Sequence, residues 1–152
     1  MEAMAQYSKI LLASQMFEKA HSEFVNAKSD MDFINSILLS GAVVGMISPL
    51  MEEQGGCSTH RFLTRIGNAR SSEKKHIGMY RHIYNSLKHS GDSRNKVLAS
   101  EDLSFEADLK YEAGKMLYCA KSDFNDVLIP NEQINLLSEQ FKCLLSSECD
   151  YA

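Results

Sequence analysis

The residues best suited to chemistry in this sequence lie in one short stretch, YRHIYNSLKHS, at positions 80–90. On a helix that turns roughly 100° per residue, Ile77, Tyr80, Ile83, Tyr84 and Leu87 share one half as a core face. Arg81, Asn85 and His89 fall on the other half, within about 80° of one another, flanked by Lys88 and His82. Such a strip presents a guanidinium, an amide, an ammonium and two imidazoles. Arg and Lys supply charge and donors to a phosphate backbone, and Asn and His add hydrogen bonds. The same groups suit RNA cleavage. His89 would take the proton from a ribose 2′-hydroxyl, Arg81 would stabilise charge developing on the phosphate, and Asn85 would orient either. Lys88 and His82, with Lys74, Lys75 and Arg94, would bind the nucleic-acid backbone.

A second reading of the strip needs no ligand: it packs against the acids Asp102, Glu106, Asp108 and Glu112 as solvated ion pairs, each of which adds only about 0 to 1 kcal/mol. Charge along the chain accommodates both readings. The net charge of -4 comes from 16 basic and 20 acidic residues. Between Cys57 and Val97 stand nine basic residues (Arg61, Arg65, Arg70, Lys74, Lys75, Arg81, Lys88, Arg94, Lys96) against Glu73 and Asp92, a local +7. The remainder has seven basic and eighteen acidic residues, a balance of -11. Segregation of this kind points to an anionic partner or to acidic helices folded against a basic one.

Other chemistries have less to build on. His82 and His89 are seven apart, no histidine pair is spaced i, i+4, and neither His82 nor His89 follows a Glu by three residues, so no metal is expected. Cys57 and His60 are two groups beside a glycine turn rather than a site. Without a Gly-x-x-x-x-Gly-Lys loop or a nucleophile elbow, ATPase and hydrolase readings fail, and no cofactor is expected.

The elements that would position the strip are helices. Met4, Tyr7, Ile10, Leu11, Phe17, Ala20 and Phe24 predict a first helix from about Ala3 to Asn26. Ser29 with Asp32 predicts the cap of a second, carrying Phe33, Ile34, Ile37, Leu38, Ala42 and Met46 and ended by Pro49 and Gly55-Gly56. A short helix or turn from Thr59 to Ile66 would carry Phe62 and Ile66 inward. The strip's helix would run from Ser72 to His89, followed by a polar, basic loop from Gly91 to Ala99. Ser100 would start a helix ending near Val127, with Glu101 and Asp102 at its positive end. Ile134, Leu137, Phe141 and Leu144 define a last helix. The expected fold is all-α, a single domain over 1–152 forming an antiparallel four- to five-helix bundle.

Phe33 to Met51 carries no charge over nearly the length of a membrane span, yet it holds Asn35, three serines, two glycines and Pro49. It reads as a helix buried on most faces, not a span. MEAMAQYSKI lacks the basic end and apolar run of a secretory signal, so the cytoplasm is the expected location. There Cys57, Cys119, Cys143 and Cys149 would remain thiols.

The run of LLSGAVVGMISPL, then YRHIYNSLKHSGD, then EDLSFEADLKYEAGKMLYCAKSDFNDV resembles the HEPN-type helical bundles of prokaryotic defence and toxin systems, over about Asp32 to Val127. Those bundles carry an arginine, usually followed by a polar residue such as asparagine, and a histidine after four to six intervening residues. Active members are metal-independent ribonucleases that work as dimers. Asn85 and His89 match the Asn-x-x-x-His part. Tyr84 stands where the arginine would be, Arg81 is separated from His89 by seven residues, and Arg70 and His76 have the nominal spacing. The resemblance implies a homodimeric protein handling RNA or a nucleotide. The other reading open at this stage is a non-catalytic module of the immunity or antitoxin kind, covering a partner protein with a charged helical face.

Overall fold

The computed structural model describes residues 3–67 and 81–151. Its first helix, α1, spans Lys9–Val25, because the Ser8 hydroxyl oxygen accepts the Leu11 N–H at 3.1 Å and so caps the helix there. The expected start at Ala3 is corrected: Met4 and Tyr7 are exposed, so the residues before Ser8 have no core face to bury. Helix α2, Asp30–Glu53, begins at Ser29 as expected, with the Asp32 carboxylate accepting the backbone N–H of Lys28 at 2.7 Å and of Ser29 at 3.1 Å.

Contrary to expectation, α2 continues through Pro49. Proline forfeits one i to i−4 hydrogen bond, but tertiary contacts hold the helix on both sides of it. Ser48 donates to Asp123, and Met51 is buried. Gly55, at φ 84°, then provides the left-handed residue that lets the chain turn away.

Helix α3 spans Thr59–Ile66, α4 spans His82–Lys88, and a 3-10 turn covers Ala99–Glu101. Helix α5 spans Leu109–Asp126, followed by the short α6, Asn131–Ile134, and α7, Glu139–Ser146. The fold is all-α, as expected, and the described residues contain no strand beyond an isolated bridge between Asp92 and Val97. α2 lies at the centre: α1 and α5 pack along it and α4 docks on it, while α3 rests on α5 and α7 closes against α1 and α5. By length and composition α2 is the one described helix that could cross a membrane, with 39% of its most apolar window buried inside the bundle.

The core consists of Ala13, Phe17 and Ala20 from α1, Ile37, Val43, Val44 and Ile47 from α2, and Met116, Leu117, Ala120 and Phe124 from α5. Phe141 of α7 meets Phe17 and Phe124 edge-on, with ring centroids 6.0 and 4.9 Å away.

Three further expectations are corrected. Phe62 and Ile66 face outward, at 54% and 61% exposure, and α3 buries Thr59, His60 and Thr64 instead. The helix expected from Ser100 begins only at Leu109, where the Asp108 carboxylate accepts the Tyr111 N–H at 3.0 Å. Upstream, the chain from Asp102 to Asp108 runs as an exposed, irregular arm after the 3-10 turn. Leu103 and Phe105 have no face to pack on there, and Asp102 turns back to accept the Gly91 N–H at 2.7 Å. The single helix expected from Ile134 to Leu144 is divided, because the Ser138 hydroxyl caps α7 by accepting the Phe141 N–H at 3.0 Å.

Candidate functional site

Helix α4 is short, and its described part starts with Arg81 as the cap, so each member of the strip has a distinct environment. Ile83 and Tyr84 are buried and Leu87 is half-buried, giving the expected core face; residues upstream of Arg81, among them Lys74, Lys75, Arg70 and His76, lie outside the described residues. Gly41 of α2 allows close docking, since any side chain at that position would overlap the Tyr84 ring.

Arg81 and Lys88 occupy the edge of α4 beside Tyr84, and both lean over its ring. The Arg81 Cζ lies 4.9 Å and the Lys88 Nζ 4.5 Å from the ring centroid. Arg81 Nη2 donates to the Gly41 carbonyl at 3.2 Å, and its Nε is buried without a hydrogen-bond partner. This corrects the expectation that Arg81 faces outward with Asn85 and His89: the half-buried guanidinium faces α2. His82, Asn85, Lys88 and His89 are exposed. His89 caps the helix C-terminus with extended backbone (φ −135°, ψ 154°), and its N–H donates to the Asn85 carbonyl at 3.0 Å. The imidazole therefore projects where α4 ends rather than continuing its helical register.

Arg94 lies in the loop beyond. Asp92 and Val97 exchange backbone hydrogen bonds of 2.9 Å, and Gly91 at φ 82° and Lys96 at φ 56° turn the chain. The Asp92 carboxylate is directed into the loop, accepting from the Asn95 Nδ2 at 2.6 Å and the Arg94 N–H at 3.0 Å. The Asn95 side chain and these backbone donors hold its pKa below the usual carboxylate value.

None of the acids expected to neutralise the strip forms an ion pair with it among the described residues. Asp102 binds Gly91, Asp108 caps α5, and Glu112 pairs with Lys115 at 2.7 Å. Lys88, Arg94 and Lys96 therefore form an exposed cationic end to α4 and its loop, beside exposed His89. The reading in which the strip packs against an acidic helix is set aside, because residues 102–108 are not helical.

A second constellation was missed by sequence reasoning. The Asp123 carboxylate, buried on α5, accepts the Thr59 N–H at 2.8 Å and the Thr59 hydroxyl at 2.7 Å through Oδ1, and the Ser48 hydroxyl through Oδ2. One carboxylate thus joins α2, α3 and α5, and it satisfies a backbone donor in the first turn of α3. His60, next to Thr59 in α3, is buried, its pKa pushed down to about 4 by burial and then by the charges of Arg81 and Lys115. The available signal was Asp123 itself, a carboxylate in register with Met116, Ala120 and Phe124 on the apolar face of α5.

Among the described residues, no three His, Cys, Asp or Glu side chains converge to hold a metal ion. A shallow cleft between Gln6–Leu11 and Gln133–Leu136 offers Tyr7 and Lys9 as its only titratable groups. No protein-family model, curated protein or solved structure matches this chain.

Proposed function

We propose that this HEPN-like bundle binds RNA through the exposed end of α4 and its following loop. The observation that carries the reading is that His82, Asn85, Lys88 and His89 are exposed together while the neighbouring acids are engaged elsewhere. Lys88 and Arg94 supply charge to the phosphates, His82 and Asn85 hydrogen-bond them, and His89 is the acid/base group of a metal-independent cleavage. In that step His89 takes the 2′-hydroxyl proton, the 2′-oxygen attacks phosphorus, and the bond from phosphorus to the 5′-oxygen breaks. The 5′-oxygen leaves with a proton from solvent, giving a 2′,3′-cyclic phosphate. Arg81, spent on Tyr84 and Gly41, acts as a positioning residue that holds α4 on α2.

The test is binding and cleavage of a mixed RNA pool in EDTA. Affinity is expected to fall steeply with salt, and Lys88→Ala to reduce the slope of log affinity against log salt by about 1. Cleavage is expected to vanish in His89→Ala without loss of helicity. Absence of binding at low salt would overturn the RNA reading, and cleavage unchanged in His89→Ala would overturn the assignment of His89. A second reading, a non-catalytic module that covers a partner protein, is favoured by exposed Phe62 and Ile66 on α3.

A further inference from the structure

Beyond α7 the chain returns to the bundle and buries Tyr151 between α1 and α5. Its ring meets His21 and Phe24 of α1 edge-on, with centroids 5.8 and 5.5 Å away, and its carbonyl lies where a side chain at Gly114 of α5 would stand. This seat gathers polar groups from both helices around half-buried Cys149. The Ser147 Oγ lies 3.0 Å from the sulfur, and Lys121 of α5 donates to the Ser147 carbonyl and hydrogen-bonds the sulfur as well. The Tyr151 hydroxyl, also hydrogen-bonded to Cys149, stands 3.0 Å from His21 Nδ1. An ammonium and a phenol directed at one sulfur stabilise a thiolate, because a neutral thiol is only a weak acceptor. Burial of the sulfur opposes ionisation, but the hydrogen bonds of Ser147 and Tyr151 and the charge of Lys121 outweigh it, holding the Cys149 pKa below the usual thiol value. The flanking Glu148 and Asp150 are acids, so the positive charge that favours the thiolate comes from α5. Burial first, and then the neighbouring sulfur, raise the Tyr151 pKa, so the phenol keeps the proton it donates.

We propose that Cys149, held by Lys121, Tyr151 and Ser147, is a modification site that exchanges with the disulfide of a small thiol, of the glutathione kind, and carries that thiol as a mixed disulfide. The Cys149 sulfur attacks one sulfur of the small disulfide, the bond between the two small-thiol sulfurs breaks, and a new sulfur–sulfur bond forms to Cys149. The second small thiol leaves as a thiolate and takes a proton from solvent. Cys149 is oxidised and the departing thiol reduced, so the small disulfide is itself the oxidant. Lys121 and Tyr151 act as positioning residues that keep the attacking sulfur ionised. The other cysteines lack this setting: Cys119 is buried, its pKa pushed up to about 12 by burial and then by Asp123, and Cys143 is exposed on α7. The inference does not depend on RNA handling.

The test treats the reduced full chain with glutathione disulfide from about pH 5 to about pH 9, a range that brackets thiol ionisation, and follows each cysteine by peptide mass spectrometry after acid quenching. Cys149 is expected to gain glutathione ahead of Cys57 and of the more exposed Cys143, with a rate midpoint below the usual thiol value, and to lose it on reduction. Lys121→Gln is expected to slow Cys149 about threefold or more near neutral pH and to raise the midpoint, whereas Lys121→Arg keeps the charge and the rate. Tyr151→Phe, which preserves the ring against His21 and Phe24, is expected to raise the midpoint too, with the helical circular dichroism of all three variants unchanged. Modification of Cys143 or Cys57 as fast as Cys149 overturns the proposal. So does a disulfide between Cys143 and Cys149 in place of the glutathione adduct, or a Cys149 profile that neither Lys121→Gln nor Tyr151→Phe shifts.

Discussion

Buried polar side chains set the sharpest demands in this fold. His60 is 3% exposed, and its pKa is pushed from 6.5 to about 4. Because the folded value lies below the unfolded one, stability is fully present above pH 6.5. It falls as the pH drops toward 4 and the unfolded chain takes up a proton that the folded chain refuses. The shift corresponds to about 3 kcal/mol. Chemical denaturation of the wild type and of His60→Gln across pH 4 to 7 is expected to show this loss only in the wild type; parallel profiles would show that His60 titrates normally. Asp123 carries a different load. Asp123→Ala leaves the Thr59 N–H and the Thr59 and Ser48 hydroxyls without their acceptor. A loss of about 3 kcal/mol in unfolding free energy is expected, against less than about 0.5 kcal/mol for a surface change such as Glu53→Ala. Neither residue stood out from the sequence, because a histidine or aspartate on a helix is ordinarily solvated, and only the packing of α3 on α5 encloses these two.

At the scale of elements, the sequence revealed helices wherever local signals and core contacts agree. The Ser29 cap and the apolar face of α4 follow directly from residue spacing. Misreadings arose where a single polar residue outweighed apolar periodicity: Ser8 starts α1, Asp108 starts α5 and Ser138 starts α7, each through a side-chain bond to the helix's first turn. In α3 the periodicity itself misled, since Phe62 and Ile66 are spaced as a core pair yet face outward while Asp123 draws Thr59 inward. The two glycines of α2 show how closely α4 depends on its neighbour. Gly41→Ala would drive a methyl into the Tyr84 ring, whereas among the described residues a methyl at Gly45 would meet only the Arg81 Nη2, at an ordinary 3.6 Å. Gly41→Ala is expected to destabilise by about 1–3 kcal/mol and to loosen α4, raising amide exchange at His82–Lys88 and weakening RNA binding. Gly45→Ala should be neutral or stabilising by up to about 1 kcal/mol, because alanine favours helix. Equal exchange in the two variants would show that Gly41 is not what seats α4.

Over the whole molecule, a net charge of -4 conceals a basic block at 57–97 and an acidic remainder. Segregation of charge was legible in the sequence. Its spatial outcome was not, because the acids expected to neutralise the basic helix lie in a non-helical arm, bind backbone or, in the case of Glu112, pair within their own helix. The structure distributes the basic block as well: Arg61 pairs with Glu52 at 3.3 Å, Arg81 turns onto α2, and Lys88, Arg94 and Lys96 remain exposed. The proposed RNA surface at the end of α4 therefore draws on only part of the block. Lys88→Ala/Arg94→Ala is expected to lower RNA affinity by about tenfold or more at low salt, as two phosphate contacts are lost, while leaving the helical circular dichroism unchanged. An affinity unchanged in that variant would show that RNA does not meet the end of α4.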